Sequence, residues 1–176
     1  MADDESIWIE STRGPDDEPA CLITWGPIQA YPTVAAVRET ALDLVTCAAY
    51  AEMMMTLVAT LELPGSTASA FVTDLLDGRA KRYFGSKETV TMLPAGSTKT
   101  GAAYVLLHRG SQRGDLTPAE ARTMALQWLA AAEATESDQL ISEALRSAGV
   151  DKGRQARVFG YLRALRPEDV KGRGAG

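Results

Sequence analysis

The sequence predicts an α+β protein made by tandem duplication of one ββαα module. Runs of β-type residues come in pairs, as hairpins, and do not alternate singly with helices. Each pair is followed by long segments whose apolar residues recur at helical spacing. Identical residues also recur along the chain at a fixed offset. A net charge of −5 over 176 residues, with 45% hydrophobic residues, is typical of a soluble globular protein.

The internal repeat rests on two matches. Residues 22–52 and 106–136 share nine identities at an offset of 84. The segment Gly78-Arg79-x-x-Arg82-x-Phe84-Gly85 recurs as Gly153-Arg154-x-x-Arg157-x-Phe159-Gly160, at an offset of 75. The matches predict three segments, of which the last is polar and glycine-rich. They are a first ββαα repeat (1–87), a second ββαα repeat with a C-terminal helix (88–166) and a flexible tail (167–176).

Each repeat is predicted to begin with a hairpin. Two β-type runs flank the turn-rich Gly14-Pro15-Asp16-Asp17 in the first repeat, and two flank Pro94-Ala95-Gly96-Ser97 in the second. A single hairpin with one helix makes a marginal core, so the two hairpins can pair as one four-stranded antiparallel sheet packed with helices. The predicted strands are 6–9 and 21–25 in the first repeat, and 89–93 and 103–108 in the second.

The helices that follow have clear boundaries. The first is predicted from Val34 to about Leu61, because Pro64 and a following glycine end it. The second long helix is predicted to begin at the capping box Thr117-Pro118-Ala119-Glu120, which has proline at the first helical position. Three further helices are predicted, at 66–76, 138–147 and 152–165.

The apolar segment Leu44–Leu61 is about as long as a bilayer span. It contains Glu52, and neither basic clusters nor an aromatic belt flank it, so we expect a buried central helix or one face of an oligomer interface, and no membrane contact. The acidic N-terminus does not resemble a secretory signal. We therefore expect a cytoplasmic protein in which Cys21 and Cys47 are small buried apolar residues.

The sequence offers little material for catalysis. One histidine and two cysteines are too few for a metal cluster or a disulfide framework. His108 has no neighbouring acid in the sequence, and Lys99 does not follow a glycine as it would in a phosphate-binding loop. We therefore predict a protein that is not an enzyme and has no metal, cofactor or catalytic residue.

The arginine-bearing segments are the candidate partner-binding sites. Arginine beside an aromatic ring can bind phosphate and stack on a base, or pair with the carboxylates of a protein. The competing interpretation is an amphipathic helix whose arginine stems cover its apolar edge. The candidate residues are Arg79, Arg82, Phe84, Arg154, Arg157, Phe159, Arg163 and Arg166.

The start of the second long helix carries a family resemblance. Leu116-Thr117-Pro118-x-Glu120-Ala121-Arg122, followed by an alanine-rich helix, resembles small uncharacterised proteins of actinobacteria and their phages. The likeness covers roughly 105–166. The first repeat departs from it, since Val34 replaces the proline and Ala36 the glutamate. The resemblance implies a source and no catalytic activity.

Two functions remain as hypotheses. The first is a non-enzymatic interaction or assembly protein that binds a protein partner or a second copy of itself, as a phage or mobile-element accessory or a virion component. The alternative is a nucleic-acid-binding regulator that uses the two arginine segments. Residues 1–87 sum to −7 and residues 88–176 to +2, so a basic surface is expected near the C-terminus.

Overall fold

The computed structural model describes residues 7–80, 90–109 and 112–165. Within them the fold is α+β, as predicted, with two three-stranded antiparallel sheets and four helices. The first five elements are β1 (Ile7–Arg13), β2 (Pro19–Trp25), β3 (Ile28–Ala30), α1 (Val34–Leu61) and α2 (Gly65–Ala80). The next five are β4 (Thr91–Ser97), β5 (Ala102–Arg109), β6 (Gln112–Leu116), α3 (Pro118–Ser147) and α4 (Lys152–Leu165).

Each sheet is a meander with one strand more than the sequence predicted. The strand orders are β1-β2-β3 and β4-β5-β6. The third strands were missed because β3 has only three residues and β6 reads Gln-Arg-Gly-Asp-Leu, which lacks an apolar alternation. A single four-stranded sheet is not confirmed, since the described strands belong to two separate sheets.

Both long helices begin at a capping threonine, of which the sequence predicted only Thr117. The hydroxyl of Thr33 accepts from the backbone N–H of Ala36 at the start of α1. At the start of α3, Thr117 accepts from the Glu120 N–H, and the Glu120 carboxylate accepts from the Thr117 N–H at 2.8 Å. The predictions for α1 and α4 are confirmed.

The prediction of two helices within 118–147 is wrong. They form one 30-residue helix, α3, because neither glycine nor proline interrupts the segment after Pro118. The helix ends at Ser147 and is followed by Gly149, which has a φ of +71°. The N–H of Val150 donates to Leu145 and that of Gly149 to Arg146, the pattern of a Schellman cap.

The two halves of the chain have the same order of elements. From β2 onward, an offset of 84 relates the bounds of each element to its counterpart within three residues. For β1 and β4 the sheet register gives 83, because the connection between corresponding positions of the first hairpin is one residue longer in the second half. Positions related by the offset of 84 are called corresponding positions below.

The chain divides into two compact units that cut across this repetition. Unit 1 comprises Met1–Arg38 and Gln127–Gly176, and unit 2 comprises Glu39–Leu126. Each unit therefore holds one sheet together with helical segments from both halves of the sequence. The predicted boundary at residue 87 describes the sequence repeat and remains a prediction.

Unit 1 contains buried polar side chains where its helix meets the sheet. The Cys21 thiol of β2 donates to the hydroxyl of Thr135 in α3 at 3.2 Å, and the Gln139 amide donates to the Pro19 carbonyl at 3.0 Å. Asp138 is also buried, and the Ser11 hydroxyl of β1 donates to it at 3.4 Å. These bonds tie the C-terminal part of α3 to the first hairpin.

Unit 2 has an apolar core built around two methionines. Met54 and Met55 of α1 pack with Ala68 and Val72 of α2, and all four are buried. A side chain at Gly96 of β4 would overlap the Met55 sulfur and lie 2.9 Å from the Met54 methyl carbon. The absence of a side chain at Gly96 therefore lets the strand approach the methionines.

Within the described residues, α1 alone is long and apolar enough to cross a membrane by length and composition. A core helix of a soluble protein passes the same test. Eight side chains of α1 are buried in the protein, at spacings of one, three and four residues that mark one helix face.

Candidate functional site

The exposed face of α4 is the first candidate site. Arg154, Arg157 and Tyr161 are spaced by three and four residues, so they share one face of the helix, and all three are exposed. The Tyr161 side chain is 73% exposed. The helix carries four basic residues and no acidic one over 152–165. We call the three side chains the Arg-Tyr face.

The start of α4 positions the first arginine of this face. Asp151 accepts from the backbone N–H of Arg154 at 3.0 Å, which caps the helix. The same carboxylate pairs with the Arg154 guanidinium at 3.2 Å. Arg154 is therefore held near the end of the helix, whereas Arg157 extends from its middle.

Phe159 lies on the other side of α4, and its ring packs against Arg13 of β1. The Arg13 guanidinium of β1 lies 4.9 Å from the centre of the Phe159 ring, in a cation–π contact. Beside it is a cavity of about 20 Å³, a volume that suits one or two water molecules and no metabolite. It is lined by Thr12, Arg13, Pro19, Asp138, Phe159 and Arg163.

The predicted site residues are thus divided among different surroundings. Arg154 and Arg157 share the exposed face, Phe159 packs inward, and Arg163 lines the small cavity. Arg79 lies in the last turns of α2, but its side chain is outside the described residues. Arg82, Phe84 and Arg166 also lie outside them.

The two Gly-Arg segments occupy different places in their helices. The first begins at Gly78, two residues before the end of α2, and the second begins at Gly153, the second residue of α4. The offset of 84, which relates α2 to α4, instead places Arg79 opposite Arg163. The offset of 75 therefore relates identical residue types that do not occupy corresponding positions in α2 and α4.

Tyr161 is the residue that the sequence reasoning missed. The repeated segment contains Phe159 and ends before Tyr161, so the pattern selected Phe159 as the candidate aromatic residue. A helical wheel would have placed Tyr161 between Arg154 and Arg157, about 160° around the helix from Phe159. That arrangement separates an exposed aromatic from a packing one.

The second candidate site is a set of exposed apolar side chains on α1 and α3 of unit 2. Leu42 is 59% exposed and Leu126 is 68% exposed, and they occupy corresponding positions. Val45, one turn after Leu42, is exposed as well. We call these three side chains the leucine patch.

An ion pair joins the two helices of the leucine patch. Glu52 lies on the same face of α1 as Leu42 and Val45, and Arg122 lies one turn before Leu126 in α3. The Arg122 guanidinium donates to both carboxylate oxygens of Glu52, at 2.8 and 2.5 Å. Its hydrogen bonds lower the pKa of Glu52 below the ordinary value.

Unit 1 contains a corresponding ion pair. Arg38 corresponds to Arg122 and Glu136 corresponds to Glu52, and the Arg38 guanidinium pairs with the Glu136 carboxylate. Glu133 is a second partner of Arg38. In each pair the arginine of one half of the sequence binds the glutamate of the other half.

The buried thiols do not form a reactive site. Burial raises the pKa of the Cys21 thiol, and burial with the nearby Asp43 raises that of Cys47 to about 12. Both are therefore protonated at neutral pH, whereas a nucleophile or a metal ligand needs the thiolate. Among the described residues, no group of three or more histidine, cysteine or acidic side chains is arranged to hold a metal ion.

Comparison with known proteins adds no relative: no protein-family model, no curated protein and no solved structure matches the chain. The two surfaces defined above are therefore the basis for assigning a function.

Proposed function

We propose that this protein is a non-enzymatic interaction protein and that the leucine patch is its binding surface for another protein. The observation that carries the proposal is the exposure of Leu42 and Leu126, 59% and 68%, at corresponding positions. Burying such side chains is worth about 25 cal/mol for each Å² of apolar surface removed from water. Clustered exposed apolar residues mark interaction sites more often than isolated ones do.

The proposal includes an origin by tandem duplication, in which each repeat is a ββαα module with a short third strand. The shared order of elements and the corresponding ion pairs support it. Seven of the eight buried positions of α1 also have buried counterparts in α3. These are 37/121, 41/125, 44/128, 47/131, 48/132, 51/135 and 54/138.

The biological setting is proposed from the resemblance of residues 105–166 to actinobacterial and actinophage proteins. A phage or mobile-element accessory protein, acting in the cytoplasm or within a virion, fits a binding role without catalysis.

Site-specific photo-crosslinking tests the proposal in the cells that encode the protein. A photoreactive amino acid replaces Leu126 in one variant and Leu140 in a matched control, because Leu140 is also 64% exposed and lies outside the patch. We expect a discrete crosslinked species at position 126 and none at 140. Equal crosslinking at both positions, or none at either, would contradict the proposal.

Nucleic-acid binding is the second candidate function, and the Arg-Tyr face is the observation that favours it. Two guanidinium groups beside an exposed ring suit phosphates and a stacked base. Arg157→Ala should weaken binding to an oligonucleotide and reduce the dependence of affinity on salt. Arg146→Ala is the control, because Arg146 is already paired with Glu18. No mobility shift at low salt would eliminate this candidate.

A further inference from the structure

The first sheet packs on a helix from the other half of the sequence. The two halves are taken as residues 1–87 and 88–176. In unit 1, the Cys21 thiol of β2 donates to the Thr135 hydroxyl of α3. The Gln139 amide of α3 donates to the Pro19 carbonyl at the start of β2. These bonds join residues that lie 114 and 120 positions apart in the chain, so the sheet of the first half is held by the long helix of the second half.

Unit 2 has the reciprocal arrangement. Ala103 of β5 packs against the methionine cluster of α1 and α2, and Gly96 of β4 approaches Met55 so closely that a side chain there would overlap its sulfur. Ala103 corresponds to Pro19, and Met55 corresponds to Gln139. Corresponding strand positions therefore face the long helix of the other half in both units.

Ion pairs between the two long helices repeat this exchange. Arg38 of α1 pairs with Glu133 and Glu136 of α3, and Arg122 of α3 pairs with Glu52 of α1. Exposed ion pairs add little to affinity, but complementary charges determine which surfaces meet and in what register. The two corresponding pairs therefore specify that each long helix lies against the one from the other half.

We infer that the contact between the two halves is a protein–protein interface in its own right, so that each half binds the other and the two stay associated when the chain between them is cut. Obligate interfaces between chains resemble a domain core cut in half. This interface has that character, because it includes the fully buried side chains of Cys21 and Thr135. The partner that each half fits is a ββαα module of the same type. The inference uses neither the leucine patch nor the Arg-Tyr face, so it is independent of the proposed function.

Cutting the folded protein between its halves tests the inference. A recognition sequence for a site-specific protease is inserted after Lys87, and the uncut form of the same variant is the control. After complete cleavage, we expect light scattering to give the mass of the two halves together and circular dichroism to match that of the uncut form. The thermal midpoint of the cut protein should fall on dilution, because unfolding then separates two chains, whereas that of the uncut form should not change.

Two substitutions test whether the contacts between the halves hold the cut protein together. Arg38→Ala removes ion pairs that join the halves, and Arg154→Ala removes an ion pair with Asp151 that lies within the second half. In the cut protein, we expect Arg38→Ala to raise the dissociation constant of the halves about fivefold, and Arg154→Ala to leave it within about twofold. Circular dichroism of the uncut variants verifies that the fold is retained.

Three results would overturn the inference. One is separation of the cut protein into two folded monomers, which would mean that each half covers its own sheet. Another is unfolding on cleavage under conditions in which the uncut form stays folded, which would mean that the interface does not hold without the covalent link. The third is an equal change in the dissociation constant for Arg38→Ala and Arg154→Ala, which would show that the ion pairs between the halves do not contribute to their association. None of these results affects the crosslink expected at position 126.

Discussion

The two units bury different kinds of side chain at corresponding positions of α1 and α3. In unit 2, α1 buries Ala51 and Met54, and Met54 packs among apolar neighbours. At the corresponding positions in unit 1, α3 has Thr135 and Asp138, which are equally buried and are hydrogen-bonded to the first hairpin. These two buried positions are thus apolar in unit 2 and polar in unit 1.

The difference bears on how each core tolerates change. Methionine side chains are flexible and fill irregular spaces, so an apolar cluster of this kind adapts to conservative replacement. Buried hydroxyl and carboxylate groups need their particular partners, because an unpaired one costs the full desolvation penalty. We therefore expect unit 2 to be sensitive to polarity and volume, and unit 1 to be sensitive to the loss of single hydrogen bonds.

The largest effect is expected when the polar side chain of unit 1 is moved into unit 2. Met54→Asp gives α1 the residue that α3 has at the corresponding position. The new carboxylate would be buried in the methionine cluster without the hydroxyl that serves Asp138. We expect a loss of about 4 kcal/mol or more in the free energy of unfolding.

Urea unfolding measures this loss. Met54→Leu is the control, and it should cost less than about 1.5 kcal/mol because it preserves volume and polarity. Similar unfolding midpoints for the two variants would contradict the burial of Met54 in an apolar cluster.

A smaller loss is expected at the strand that faces the methionines. Gly96→Ala places a methyl group against the Met55 sulfur and should cost about 1–3 kcal/mol through overpacking. Gly160→Ala in α4 is the matched control, because nothing lies within 4 Å of a side-chain carbon there. That control should be stabilising, by up to about 1 kcal/mol, since alanine is the better helix former. Thermal unfolding distinguishes them, and a neutral Gly96→Ala would argue against the close approach of β4.

Some features of the fold can be predicted from the sequence, and these packing details cannot. Helix ends depend on local capping, so the starts of α1 and α3 could be read from Thr33 and Thr117. The requirement for glycine at position 96 could not, because it arises from Met54 and Met55, which are 42 and 41 residues away in the chain. The strand β3 is too short, at three residues, to show a periodicity, and β6 lacks an apolar alternation.

The candidate surfaces were predictable to a different extent. The leucines of the patch were part of the repeat, but identity at corresponding positions does not tell a buried residue from an exposed one. Leu42 is exposed, whereas Leu44, two residues later, is fully buried. A helical wheel would have identified Tyr161 as an exposed residue, whereas the repeated segment contains only Phe159.

Unit 1 should lose about 1 kcal/mol when Thr135 is replaced by valine. The change keeps the shape of the side chain and removes the oxygen that accepts from the Cys21 thiol at 3.2 Å. Thr56→Val in α1 is the control, because that hydroxyl is exposed and bonds only to the carbonyl one turn earlier. Its effect should stay within about 0.5 kcal/mol. Equal losses in urea would mean that the buried pair contributes nothing beyond helix propensity.

The smallest effect compares the two helix starts, where Glu120 at α3 has Ala36 as its counterpart at α1. Glu120 accepts from the Thr117 N–H and hydroxyl, and these bonds lower its pKa. A carboxylate with a lowered pKa stabilises the fold above its ordinary pKa, and the gain is lost as pH falls through the lower folded value. Ala36→Glu should complete the same box at Thr33, with a gain of about 0.5 kcal/mol at pH 7. Ala36→Gln keeps an acceptor without the charge, so only the glutamate variant should lose its advantage in acid. A gain that stays constant as the pH is lowered well below the ordinary pKa of glutamate would show that the added side chain acts through packing and that the charge at the helix start is irrelevant.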